Sequence, residues 1–199
     1  FKTKFYTSYN LLNVLKDAAV NEIIAFGVTL TVIAAGCDLS VGGVMCLSGI
    51  VSIQLINGGM NIWLAILIAV LCGAAVGFIN GFLVVQQKTE AFIITLGTGM
   101  LIKGINQQLT DAHPVSCTNM EFMKIANGKI GGVIPNLALF MIVIGLLVYA
   151  LLRYTSYGRN LYALGGDYDV AKYSGINVIS TKWIAFILSG ALAAVAGVL

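Results

Sequence analysis

Between Glu22 and Lys88 the chain runs for 65 residues in which Asp38 is the only ionisable side chain other than cysteine thiols. A water-facing surface of that length needs polar groups that these residues do not supply, so the segment is read as lying in lipid. A carboxylate at a bilayer centre costs about 2.5–3.5 kcal/mol on insertion scales, which confines a lone one to an interface, a cavity or a functional site. Asp38 stands in Gly36-Cys37-Asp38-Leu39-Ser40-Val41-Gly42-Gly43, where glycines and a serine separate two apolar runs. The expectation is an all-α, polytopic transmembrane helical bundle with a broken helix near Asp38.

Composition supports that class. Hydrophobic residues are 59% and charged residues 10% of the chain, where soluble domains carry about 25% charge. The mean hydropathy is +0.95. A net charge of +3 spread over several loops reads as orientation charge, so no nucleic-acid partner is expected. Cys37, Cys46, Cys72 and Cys117 have no metal-ligand spacing and read as packing residues. The single His, His113, stands beside Pro114 with no second ligand or nucleophile near it, and reads as a solvated turn residue. No metal site and no catalytic group are expected.

Five or six spans of the length a bilayer requires, about 20 residues, fall at about 20–36, 41–57, 62–86, 136–152 and 183–199, with 91–108, moderately apolar and carrying Lys103, as a shorter or tilted one. Residues 1–17 are too polar to span, and Leu11, Leu12, Val14 and Leu15 fit one side of a short interfacial helix. Arg153, Arg159, Lys172 and Lys182 make 153–182 the most basic connection, which places it in the cytoplasm. Counting back puts 109–135 outside, 86–90 inside, 57–61 outside, the Asp38 break near the inner side and the N-terminus outside. An outside N-terminus calls for a preceding helix, so the chain is read as one transmembrane domain, 1–199, with further helices before and after it. Lys103, inside a span, either lines a wet pathway or snorkels to the outer interface, and its place about five residues from the outer end favours snorkelling. Gly73, Gly77 and Gly81 recur every four residues on one face, a spacing that lets helices approach closely inside the bundle.

Within the basic connection, Asp167 is a good N-cap, Asp169 adds first-turn negative charge, Lys172 lies near the end and Gly175 can close a helix in the left-handed conformation. That predicts a cytoplasmic helix of about two turns, too short to stand alone in water.

Four segments then carry a resemblance. Asp38-Leu39-Ser40-Val41-Gly42, Glu90-Ala91-Phe92-Ile93-Ile94-Thr95-Leu96-Gly97-Thr98, Gly158-Arg159-Asn160-Leu161-Tyr162-Ala163-Leu164-Gly165-Gly166, and Ala171 followed by Ser174-Gly175-Ile176-Asn177-Val178 occur in order over nearly the whole chain. The chain resembles the ribose-type permease family, the membrane subunits of bacterial ABC importers for ribose, xylose, galactose, the autoinducer-2 signal and related solutes. The resemblance implies about ten spans in the complete subunit and a location in the bacterial cytoplasmic membrane. It also implies a second permease subunit, a cytoplasmic ABC ATPase, and an extracytoplasmic sugar-binding protein that delivers cargo. It makes the helix around Asp167 to Gly175 the coupling helix, with Asp167, Asp169, Ala171, Lys172, Ser174 and Gly175 as ATPase-coupling residues. One departure is Asp167, where many relatives carry Asn; both residues cap helices.

The expected role is a transport subunit rather than an enzyme. The sequence has no Gly-x-x-x-x-Gly-Lys-[Ser/Thr] phosphate loop, so ATP would be bound by the partner and the subunit itself would hold no cofactor. Residues expected at the pathway or helix break are Asp38, Ser40, Gly42, Gly43, Thr95 and Gly97, with Asn80, Thr98, Asn106, Phe78 and Phe92 as further groups for a small polar solute. Asp38 has two readings: a break facing the pathway, or a cap for the helix that follows, at the inner membrane surface. The loop count favours the cap. An ion-coupled secondary transporter is the alternative function, since such proteins also use broken helices around a buried acidic group.

Overall fold

The computed structural model describes residues 6–130 and 134–199. Part of the expected interfacial segment, residues 1–5, and the stretch 131–133 of the expected outer loop lie outside the described residues. Among the described residues the helices are α1 (Ser8–Ile33), α2 (Val41–Asn57), α3 (Ile62–Gln86), α4 (Ala91–Thr110), α5 (Met120–Asn127), α6 (Asn136–Tyr154), α7 (Ser156–Gly166), α8 (Tyr168–Tyr173) and α9 (Val178–Val198). A minimal antiparallel ladder, β1 (Lys129–Ile130) with β2 (Ile134–Pro135), pairs Lys129 with Pro135. The class is an all-α helical membrane protein.

Helices α2, α3, α4 and α6 lie where the apolar runs predict, because polar or turn-forming residues bound each of them. Three expectations need correction. The interfacial helix and the first span are one continuous helix, α1. Neither Gly nor Pro interrupts residues 8–26, so nothing stops the helix where the polarity changes. At 1.5 Å per residue α1 is roughly 39 Å long, longer than the hydrocarbon core, and its polar turns lie beyond one face. Second, the basic connection is mostly helical. Leu161 and Leu164 bury one face of α7 at helical spacing, and the Thr155 hydroxyl accepts from Gly158 N–H at 3.1 Å. Third, α9 begins at Val178, about five residues early, because the Asn177 side chain caps it by accepting from Ser180 N–H at 3.0 Å. Helix α5 was not anticipated either; Asn119 caps it, accepting from Glu121 and Phe122 N–H at 2.9 and 3.2 Å.

Five or six spans were expected, with 91–108 the weakest. Three helices are long and apolar enough to cross a membrane by length and composition, α3, α6 and α9, and α2 is apolar but shorter. Polar groups dilute the other two: Lys16, Asp17 and Glu22 in α1, and Lys103, Gln107 and Gln108 in α4.

Hydrogen bonds sort the connections into two ends, as the alternation requires. At one end Lys16 donates to Asn127 Oδ1 at 2.8 Å, Asn57 Nδ2 to the Ser116 carbonyl at 2.9 Å, and Thr118 Oγ1 to Asn57 Oδ1 at 2.9 Å. This end gathers the start of α1, the α2–α3 turn and α5. At the other end Lys182 donates to the Ala35 carbonyl at 3.4 Å, joining the α1–α2 break to the start of α9.

Helix α9 forms the centre, packed against α1, α2 and most extensively α3. The α3–α9 seam is backbone on backbone. A Cβ at Gly77 would meet the Phe186 carbonyl, one at Gly190 the Gly73 carbonyl, and one at Gly73 the Ala194 methyl. Lipid removes the usual hydrophobic drive between helices, so this close approach is what brings dispersion contacts into range. The glycine repeat therefore serves packing inside the subunit.

Candidate functional site

The α1–α2 break is built from two local devices. Helix α1 ends in a Schellman motif: Gly36 N–H donates to the Thr31 carbonyl at 2.9 Å and Ala35 N–H to the Val32 carbonyl at 3.0 Å. The left-handed position is Ala35, at φ +52°, where glycine would be the unstrained choice. Asp38 then makes an Asx turn, its Oδ1 accepting from Ser40 N–H at 3.0 Å and from Ser40 Oγ at 2.6 Å.

Three other helices complete the site. Ser189 Oγ of α9 donates to Asp38 Oδ2 at 2.8 Å. Asn80 Nδ2 of α3 donates to Ser40 Oγ at 2.9 Å. Thr95 of α4 clamps the non-helical backbone, its Oγ1 accepting from Leu39 N–H at 3.1 Å and lying 3.0 Å from the Cys37 carbonyl. Asp38, Ser40, Asn80, Thr95 and Ser189 are all buried. Non-helical backbone at depth is tolerated only where protein or a cavity satisfies it, and here side chains from α3, α4 and α9 do so.

Asp38 stands in the non-helical stretch between α1 and α2. The carboxylate is 1% exposed, with Ser40 and Ser189 on its two oxygens. Its backbone bond is to Ser40 N–H, at the N-cap position of α2. It also lies below the surface: Asn80, bonded to Ser40, stands six residues from the end of α3, roughly 9 Å along the axis. Asp38 is an inter-helix knot.

The expected pathway residues therefore separate. Gly42 and Gly43 line a groove of about 710 Å³ between α2 and α4, together with Met100, Lys103, Asn106 and His113. Asp38, Ser40 and Thr95 stand behind it in the wall. Gly97 is on an open face of α4 and lines no part of the groove. Asn106 donates from Nδ2 to the Gly43 carbonyl at 3.1 Å, while its buried Oδ1 has no partner. Lys103 lines the groove, the less favoured of its two readings. Its place one turn before Asn106 and Gln107 on α4 was the signal available in the sequence.

Helix α8 has the predicted ends. Asp167 Oδ1 accepts from Asp169 and Val170 N–H, both at 2.9 Å. A second Schellman motif closes it: Gly175, at φ +82°, donates to the Lys172 carbonyl at 3.1 Å and Ile176 to the Ala171 carbonyl at 3.2 Å. At six residues it is shorter than two full turns. Asp167, Asp169, Lys172, Ser174 and Gly175 are exposed, beside Tyr168, Val170 and Tyr173 at 50%, 62% and 87% exposure. Ala171 is the exception. It is buried in the cluster with Leu161, Leu164 and Val178, so it fastens α8 to its own subunit and presents nothing outward. Behind it Tyr157 of α7, whose hydroxyl donates to the Thr181 carbonyl at 3.3 Å, has its pKa pushed well above the phenol value by burial.

A family profile described as "branched-chain amino acid transport system / permease component" matches residues 10–199. The ribose import permease protein RbsC of Haemophilus influenzae is 37% identical over 199 residues, covering 98% of this chain and 61% of its own length. The D-allose transport system permease protein AlsC of Escherichia coli is 37% identical, with 98% and 60% covered. The galactose/methyl galactoside import permease protein MglC of Salmonella typhimurium is 32% identical, with 98% and 63% covered. The chain thus spans about three-fifths of the length of these relatives. No solved structure matches it at a significant level.

Proposed function

This chain belongs to the family of branched-chain amino acid transport system permease components, and from that premise we propose that it is a multi-pass permease subunit of an ATP-driven importer in a bacterial cytoplasmic membrane. Its cargo is a small polar solute of the sugar class, which the names of the similar permeases favour over the amino acids of the family's description. The partners are a second permease subunit, a cytoplasmic ATPase that binds the ATP, and an extracytoplasmic binding protein that delivers the solute.

One observation carries this reading. Helix α8 is capped at both ends, fastened inward through Ala171, and turns Tyr168, Val170, Tyr173 and three charged groups outward. A six-residue helix held so firmly with so much apolar surface exposed is suited to a cleft in a partner. The bond from Lys182 to Ala35 places α8 at the same end as the Asp38 break, the end that its basic residues assign to the cytoplasm. ATP-driven closure of the ATPase would push α8, and α9, which follows it directly, would carry the push into the bundle. The solute passes along the α2–α4 groove, where Lys103 offers a donor to hydroxyl groups.

The test uses the full-length permease with its own ATPase and binding protein. Gly175→Val places a β-branched residue at positive φ and deforms the end of α8. The expected outcome is normal membrane insertion with lost uptake and lost capture of the ATPase. Normal uptake by that variant overturns the coupling role.

A further inference from the structure

A second cavity, of about 690 Å³, opens at the α8 end of the bundle. Lys88 of the α3–α4 turn, Lys172 of α8 and Lys182 of α9 converge on it, and among the described residues Glu90 is the only acidic group in its lining. Three cations against one anion leave an excess of two positive charges in one recess, and Thr89 and Tyr168 add hydroxyl groups. The floor is of a different kind: Val84 and Val85 from the end of α3, Ala91 from the start of α4, and Val178 and Ile179 from the start of α9. These are the ends of helices that enter the membrane. A cationic rim over an apolar floor at a membrane border is the inverse of an anionic headgroup over its acyl chains. On the outward side of the neighbouring α3–α9 face, Phe78 and Phe82 stand half-exposed around Trp183, with ring centroids 5.6 and 5.9 Å from it. Trp183 is of the residue type that collects at bilayer interfaces.

We propose that this recess binds the phosphodiester headgroup of an anionic lipid of the inner leaflet, held by Lys88, Lys172 and Lys182. Basic pockets between helices on the cytoplasmic side recognise such headgroups. The site touches α8 through Lys172 and Tyr168 and the Asp38 break through Ala35, so its occupant braces the coupling helix against the bundle. The assignment rests on the cytoplasmic orientation given above, and its test is separate from that of transport.

The full-length permease, assembled with its ATPase in nanodiscs, is probed with spin-labelled phosphatidylglycerol and phosphatidylcholine, and sugar uptake is measured in parallel. Lys88→Asn is the gentler variant, because Asn tolerates the positive φ of +48° found there; Lys182→Gln is the second. The expected result is a preference for phosphatidylglycerol that falls about fivefold per lysine removed, from a contribution near 1 kcal/mol each. Inorganic phosphate should not displace the lipid. Equal association of the two lipids, or an unchanged preference in the double variant with intact assembly, overturns the proposal. Displacement by inorganic phosphate also overturns it in favour of a free-anion site, and lost ATPase capture with unchanged lipid preference does so in favour of a protein contact. Lost uptake in Gly175→Val, whose lysines are intact, with its lipid preference kept would leave this proposal standing and bear only on transport.

Discussion

The Asp38 break and helix α8 use the same local parts for opposite ends. Each has a Schellman turn closing a helix on a left-handed residue, Ala35 in one and Gly175 in the other. Each has an aspartate accepting backbone N–H bonds from the residues just after it. Asp167 stays exposed and bonds only its own turn. Asp38 is buried and takes a third bond from Ser189, 151 residues away, while Ser40 and the backbone beside it are held by Asn80 and Thr95. A short turn motif thus does not determine whether it joins a bundle or projects from it. The difference lies in which hydroxyls and amides the rest of the fold delivers to the second carboxylate oxygen.

Replacing both aspartates by alanine measures that difference most directly. Asp38→Ala strands the Ser189 hydroxyl and the Ser40 donors in a buried site, at about 1–3 kcal/mol for each group left unmade. The expected outcome is poor recovery of monodisperse protein from detergent and a large fall in melting temperature. Were its melting temperature no lower than that of Asp167→Ala, the contrast between the two turns would collapse. Gly175→Val comes next, at about 1–2 kcal/mol for a left-handed β-branched residue, confined to α8. Far-ultraviolet dichroism of that variant should be unchanged while uptake is lost.

Asp167→Ala removes a helix cap worth about 1 kcal/mol, and amide exchange at Asp169 and Val170 should quicken about fivefold with global melting nearly unmoved. Asp167→Asn should restore the slow exchange, since the amide oxygen caps equally well. The smallest effect has the opposite sign. Ala35→Gly relieves a left-handed alanine and should raise the melting temperature slightly, by about 0.4–1 kcal/mol of stability. A fall instead would mean that the Ala35 side chain packs in the break in a way its backbone strain conceals.

What was legible in the sequence divides along the same line. The caps of α8 could be read because Asp167, Asp169, Lys172 and Gly175 act within one turn. The limits of α2 and α3 were equally plain, since Asn57-Gly58-Gly59 and Gln86-Gln87-Lys88 interrupt long apolar runs. The inward direction of Ala171 was not legible, because six residues are too few to define a buried face by periodicity. Helix α7 escaped notice because its buried stripe is only Gly158, Leu161 and Leu164 among polar neighbours, and charge rather than spacing drew attention there. The partners of Asp38 come from α3, α4 and α9, and nothing local to residues 36–43 names them. The choice between the two readings of Lys103 was open for a related reason: snorkelling and lining a groove place the same residue at the same depth, and only the neighbouring helix distinguishes them.

The glycine seam between α3 and α9 has a mechanical consequence. With Gly73 and Gly77 lodged against Phe186 and Gly190, neither helix can slide past the other without forcing a side chain across a carbonyl. The two therefore act as one stiff spar. Eleven residues separate Val178, at the α8 end, from Ser189, which holds Asp38, a length of roughly 16 Å. A load applied at α8 arrives at the knot with little lost to bending, and because Gly197 of α9 lies against Met45 and Ser48 of α2, it passes on to the wall of the groove as well.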